Sequence, residues 1–112
     1  MYNTHDLNLS DSEKIGLVPI LEEVGSQLEA WNMTFLDESM EMVFYNHLAG
    51  LYRRICEKRF LEPMEEDAFH EITPVSVSRA EHIKSIFEQH QITPVDRLEV
   101  LLISTHLQNM NQ

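Results

Sequence analysis

The stretch ESMEMVFYNHLAGLYRRI, from Glu38 to Ile55, contains the clearest helical pattern in this chain. At about 100° per residue, its larger apolar side chains fall on one arc, as expected for an amphipathic helix packed against a core. These residues are Met40, Val43, Phe44, Leu48, Leu51 and Ile55. Asp37 precedes them and is a good N-cap, because its carboxylate can accept from free backbone N–H groups. The sequence therefore predicts a packed helix over about residues 38–59.

The segment before this helix predicts another one. Ser10-Asp11-Ser12-Glu13 has the spacing of a capping box. A helical pattern of apolar residues follows it, namely Ile15, Val18, Leu21, Val24, Leu28 and Trp31. Pro19 lies inside this pattern, so we expect either a kink or the start of a second helix there.

Two more helices are predicted toward the end of the chain. Ser76 or Ser78 is the expected cap of a helix that reaches about His90, with an inner face of Ala80, Ile83, Ile86 and Phe87. Thr93 and Pro94 predict the cap and first position of the last helix, which runs to about Met110. The expected inner face of that last helix is Leu98, Leu102, Ile103 and Met110.

The helical patterns and the absence of convincing β-alternation predict an all-α domain. Pro63 ends the second pattern, and residues 64–72 are expected to hold a short helix. Residues 1–9 are polar and without a period, so we expect a loose N-terminal tail followed by one domain over residues 10–112. The predicted architecture is a compact bundle of about five helices.

Composition limits the classes of function. The chain has 112 residues, 43% of them hydrophobic, and a net charge of −11 from 8 basic and 19 acidic residues. Such a field repels phosphate backbones, so direct nucleic-acid binding is not expected. There is no apolar run of roughly 18–20 residues and no signal peptide, so we expect a cytoplasmic protein without membrane contact. The single Cys56 excludes an intramolecular disulfide and a cysteine-built zinc site.

Two of the predicted helices each carry a histidine and a charged residue seven positions apart. His47 and Arg54 share nearly one face, because seven residues make about two turns, and Glu99 and His106 repeat this spacing on the last helix. A charge on an inner face is costly unless paired, so Arg54 and Glu99 are expected partners if the helices are adjacent. Gly50, which costs about 1 kcal/mol relative to alanine inside a helix, predicts space beside the imidazole.

A histidine in such a crevice fits several roles, and periodicity does not choose among them. It can be a satisfied core residue, or a metal ligand, although no spacing such as HExxH is present. It can be a general base, although no Ser or Cys nucleophile is placed with it and Cys56 points to the other side of its helix. It can also accept a phosphoryl group, given a nearby cation. We predict no metal, no cofactor and no enzymatic activity.

Two motifs resemble those of the PTS regulation domain (PRD) family of the bacterial sugar phosphotransferase system. NHLAGLYRR (46–54) is similar to a first-half motif of a histidine, apolar residues and an arginine. EVLLISTH (99–106) is similar to a late motif of an acidic residue, apolar and small residues and a histidine. The separation of the two histidines is also about that of the family, and the resemblance covers roughly residues 12–110.

The resemblance implies a five-helix bundle that forms symmetric dimers and is phosphorylated on histidine by HPr or EIIB-type donors. Carried onto this sequence, His47 and His106 become the candidate phosphoacceptors. Arg54 would stabilise the phosphoryl group or pair with Glu99. The expected partners are a phosphodonor, a second copy of the chain and an unknown protein target.

Two differences from the family leave alternatives open. Asn46 stands where the family has an acidic residue before the first histidine, and the chain shows one PRD-like unit without an RNA- or DNA-binding output domain. We therefore expect a stand-alone, transcription-regulation-related phospho-switch acting through protein–protein contacts. The alternative is a degenerate PRD that is not phosphorylated and serves as an oligomerising or scaffolding subunit. A small enzyme or metal protein using the same crevice is a third possibility.

Overall fold

The first helix begins at a capping box, as predicted. A computed structural model describes residues 9–59, 71–91, 95 and 97–110. The Ser10 Oγ accepts from the Glu13 N–H at 3.2 Å, and the Glu13 carboxylate accepts from the Ser10 N–H at 2.9 Å. Helix α1 (Asp11–Ala30) continues through Pro19, so the predicted alternative of a second helix that starts at Pro19 is wrong. Pro19 cannot donate a hydrogen bond to the Ile15 carbonyl, and both residues lie on the exposed side of α1.

Helix α2 (Glu38–Cys56) begins as predicted, with the Asp37 carboxylate accepting from the Met40 N–H at 2.8 Å. Phe44, Leu48 and Leu51 are buried, as expected. Val43 was expected in the packed arc but is 55% exposed. The buried face is rotated toward Tyr45 and Ala49, because α2 contacts its neighbours on that side.

Helices α1 and α2 are each followed, two residues after their last residue, by a residue with positive φ. Asn32 and Lys58 each have φ 57°, and no glycine is present at either position. After the C-terminus of α1, the Met33 N–H donates to the Leu28 carbonyl at 3.0 Å. After the C-terminus of α2, the Arg59 N–H donates to the Arg54 carbonyl at 2.8 Å. These are Schellman ends, which satisfy the last free carbonyls of a helix. They stop α2 at Cys56, three residues before the predicted end.

The last two described helices are α3 (Pro74–Gln91) and α4 (Arg97–Gln108). The predicted serine cap of α3 is wrong, because the Thr73 Oγ1 accepts from the Ser76 N–H at 3.3 Å and Pro74 takes the first turn. The expected inner face of α3 is confirmed. On α4 Ile103 is buried as expected, and Met110, which follows the end of this helix, is buried too. Leu98 and Leu102 are only half-buried. The expected cap and first position of this last helix, Thr93 and Pro94, fall outside the described residues.

The all-α prediction is confirmed, and the predicted count of five helices is not matched, because the described residues form four. Residues 60–70 fall outside the description, and Glu71 and Ile72, the end of the expected short helix, are not helical. Helix α1 packs against α2 and α3, and α4 packs against the same two helices, so the four surround one core. Among these helices none is both long and apolar enough to cross a membrane.

Lys58→Gly should stabilise the protein, because glycine adopts the left-handed conformation of this position without the penalty that a Cβ brings. We expect the free energy of unfolding to rise by about 1 kcal/mol in urea titrations. Glu57→Gly is the matched control, since Glu57 has φ −91° and glycine there only adds freedom to the unfolded chain. A lower stability for Lys58→Gly than for the wild type would contradict this description of the helix end.

Candidate functional site

Helices α2 and α4 bring the four predicted site residues together in two pairs. Arg54 contacts Glu99, and His47 lies beside His106. His47 precedes Arg54 on α2, whereas His106 follows Glu99 on α4. The two helices therefore run antiparallel at this contact. Both helices use the same spacing of seven residues, about 10 Å along a helix, so one register makes both pairs at once.

The first pair is a bidentate ion pair. Arg54 Nε donates to Glu99 Oε2 at 2.7 Å, and Arg54 Nη2 donates to Glu99 Oε1 at 2.8 Å. Glu99 is only 4% exposed, so its charge lies inside the protein. A planar guanidinium matches a carboxylate in this geometry better than an ammonium does. The expectation that these two residues are partners therefore agrees with the geometry.

The second pair consists of two imidazoles in contact. The ring centroids of His47 and His106 lie 5.0 Å apart, with 44° between the ring planes. His106 also meets the ring of Phe44 edge-on, at 6.0 Å between centroids. The Nε2 atom of His47 is buried and has no hydrogen-bond partner. A buried polar atom without a partner is uncommon and costs stability, so it is often found where function requires it.

Both histidines are held in the neutral form. Burial is the main cause that lowers the pKa of His47 to about 4, and the nearby His106 and Arg54 act in the same direction. Burial also lowers the pKa of His106 below its usual value. Near pH 7 each ring therefore keeps one nitrogen with a free lone pair, which is the form that acts as a nucleophile or as a metal ligand.

Of the two supporting residues on α2, Gly50 lies against the site and Asn46 is exposed. Gly50 was expected to leave space beside the imidazole, but that space is taken by Arg54. A Cβ on Gly50 would lie 3.3 Å from Arg54 Nη1, so the missing side chain makes room for the guanidinium. Asn46 is exposed on α2, next to His47 in the chain. No hydrogen bond from Asn46 to an imidazole is part of this arrangement.

The two other histidines among the described residues lie on α3, apart from this site. His82 and His90 are exposed on α3, as expected for surface residues, and His90 contacts Glu23 on α1 at 2.8 Å. His5 and His70 fall outside the described residues. Within the part of the chain that is described, no group of three or more His, Cys, Asp or Glu side chains is placed to hold a metal ion.

One member of the site was not recognised from the sequence. Phe44 was interpreted as an ordinary core residue, yet it forms the wall against which His106 packs. Its position three residues before His47 on α2 places both rings on one side of that helix. That spacing was visible in the sequence, but the contact with His106 depends on how α4 lies across α2.

The chain was also compared with known proteins. No family model, no curated protein and no solved structure matches it. The resemblance to the PTS regulation domain therefore stays a prediction.

Arg54→Met should destabilise the protein by about 3 kcal/mol, because it leaves the buried Glu99 carboxylate without its partner. The double variant Arg54→Met with Glu99→Leu should recover at least half of this loss. Urea unfolding of the four proteins in this double-mutant cycle measures both values. Arg53→Met is the control, since the ion pair of Arg53 with Glu13 is more exposed and should be worth about 1 kcal/mol or less. Equal losses for Arg53→Met and Arg54→Met would contradict the assigned importance of the buried pair.

Stability should fall as the pH drops below about 6.5, the usual pKa of histidine. The lowered pKa values mean that the unfolded chain binds protons which the folded chain excludes, so acid favours unfolding. For His47 the loss between about pH 7 and pH 5 should be about 2 kcal/mol. His47→Leu should reduce this difference in urea unfolding, whereas His82→Leu should keep it. An unchanged pH dependence in His47→Leu would contradict the assignment.

Proposed function

We propose that this protein is a PRD-like regulatory phospho-switch that accepts a phosphoryl group on a histidine of the His47–His106 pair. The observation that carries this proposal is the pairing of two neutral, contacting imidazoles with an arginine–carboxylate pair two turns away. A neutral ring nitrogen attacks phosphorus while the donor's bond to phosphorus breaks. The transfer needs no metal and no further cofactor from this chain.

His106 is the better first acceptor in this conformation. The Nε2 atom of His47 is buried, so a donor protein reaches that atom only if the contact between α2 and α4 opens. Burial also lowers the pKa of His106, but neither of its ring nitrogens is among the described atoms that are buried without a hydrogen-bond partner. Modification of His47 would then follow a rearrangement of the helices, or use its other ring nitrogen.

A phosphoryl group at this place would act on the neighbouring ion pair. It adds roughly −1.5 to −2 charges and strong acceptor oxygens. Arg54 is the cation of the site, and it already contributes to the low pKa of His47. The phosphate would compete with Glu99 for the guanidinium, and breaking a buried pair is costly. Phosphorylation would therefore change how α2 and α4 pack, which is the local event that a switch requires.

The proposed partners follow from the resemblance and from the charge. The donor would be HPr or an EIIB-type protein, and the chain would act as a cytoplasmic homodimer on a protein target. A net charge of −11 disfavours direct contact with nucleic acid. In a two-fold dimer each modification appears twice, which enlarges its effect on the interface.

The alternative function is that of an unphosphorylated scaffolding subunit. The observation in its favour is the closed state of the site, with His47 Nε2 buried and Arg54 fully engaged by Glu99. In that case the histidine pair would be a packing feature of a degenerate PRD, and Asn46 would reflect the loss of a phosphoacceptor site.

Intact-protein mass after incubation with phosphoenolpyruvate, Enzyme I and HPr tests the proposal. We expect a gain of one phosphoryl mass that is absent in His106→Ala and reduced in His47→Ala. His82→Ala, which changes an exposed histidine of α3, is the control and should be modified like the wild type. Acid must be avoided, because phosphohistidine hydrolyses in it. No gain, including with EIIB-type donors, would reject the switch and favour the scaffold.

A further inference from the structure

A groove on the opposite side of α2 from α4 has no role in the proposed switch. It lies between α1 from Val18 onward, the loop 31–37 and the first half of α2, and it is open to solvent with a volume of about 1280 Å³. Small-molecule sites usually measure roughly 300–1,000 Å³. The groove is therefore large enough for a segment of a protein.

The groove has an apolar floor. Val18 and Phe35 are the apolar lining residues that keep accessible surface, whereas the other apolar lining residues are buried, namely Leu21, Leu28, Met33 and Tyr45. Along α1 the lining residues recur at helical spacing from Val18 to Glu29, a length of about 16 Å. A groove of this length, with Val18 and Phe35 as half-buried apolar contacts among exposed polar side chains, matches one side of another amphipathic helix.

The rim of the groove is acidic. Glu22, Glu29 and Glu38 line it and are exposed, and Asp37 and Glu41 lie beside them. Among the described residues, no lysine or arginine lines the groove. The exposed carboxylates of Glu22, Glu29 and Glu38 therefore give this rim a negative charge.

We propose that this groove binds a basic amphipathic helix of another protein. The apolar stripe of that helix would contact Val18 and Phe35, and its lysines or arginines would meet Glu22, Glu29 and Glu38. Charge complementarity of this kind selects partners and speeds their association. A second copy of this chain fits less well, because two such grooves placed face to face would bring like charges together. Nucleic acids and anionic membranes are repelled for the same reason.

A model peptide tests the binding. The probe is a fluorescent helical peptide of about 18 residues, long enough to hold helical structure, with leucines on one face and lysines on its flanks. Fluorescence anisotropy at about 0.15 M salt, where the Debye length is about 8 Å, limits attraction by the rest of the acidic protein. Peptides with serine in place of leucine, or with glutamate in place of lysine, should bind at least about tenfold more weakly.

Paired variants locate the site. Glu22→Lys should weaken binding of the leucine–lysine peptide by about fivefold or more, whereas Glu81→Lys, the same charge change on exposed α3, should weaken it less than about twofold. Val18→Ser, which removes apolar contact without altering charge, should also weaken binding. Circular dichroism checks that each variant is helical.

Three outcomes would overturn the proposal. Equal effects of Glu22→Lys and Glu81→Lys would show attraction to net charge only. Absence of saturable binding by the leucine–lysine peptide would show that the groove does not hold such a helix. A wild-type homodimer that Glu22→Lys dissociates in sedimentation, with unchanged peptide affinity, would assign the groove to a second copy. None of these measurements involves phosphorylation, so they stand independently of the proposed switch.

Discussion

The bidentate pair between Arg54 and Glu99 is the constraint on which the arrangement of α2 and α4 depends. The Glu99 carboxylate is buried and is tolerated only because the half-buried Arg54 pairs with it, and the fork geometry of a guanidinium permits little sliding. Any other register of the two helices would leave Glu99 without its cation. The free-energy cost of leaving the buried Glu99 unpaired therefore determines which residues of α2 and α4 face each other.

The histidine pair is a consequence of this register. His47 lies seven residues before Arg54, and His106 lies seven residues after Glu99, so antiparallel helices that match one pair must match the other. Both rings are then partly buried in the same helix contact, where Phe44 packs against His106, and this burial favours their neutral forms. The low pKa of His47 is thus a property of the helix contact rather than of the histidine alone.

Much of the fold could be predicted from local chemistry. The caps at Ser10 and Asp37 and the buried face of α3 depend only on neighbouring residues, and the prediction succeeded there. It failed where a choice depended on the rest of the protein. Val43 lies at the edge of a wide apolar arc, and only the position of the neighbouring helices decides which edge is covered. The end of α2 at Cys56 could not be expected, because Lys58 has no intrinsic preference for positive φ.

The candidate site shows the same limit. Equal spacing on two helices was enough to predict the contact of Arg54 with Glu99. It did not show that Gly50 makes room for the guanidinium or that the Nε2 atom of His47 is enclosed, because both facts depend on the distance between the helix axes.

The same rings that enclose the histidines extend toward the acidic groove. His106 contacts Phe44, Phe44 contacts Phe35 and Tyr45, and these last two rings line the groove. Packed rings do not by themselves transmit a signal, since coupling requires an element with two alternative arrangements. Among the described residues, the contact between α2 and α4 has a physical basis for two alternative arrangements. A negative charge added to either imidazole would compete with Glu99 for Arg54. The helix register that the Arg54–Glu99 pair favours would then lose its stabilising interaction. Any effect on the groove would then pass through Phe44, the residue of α2 that touches both sides.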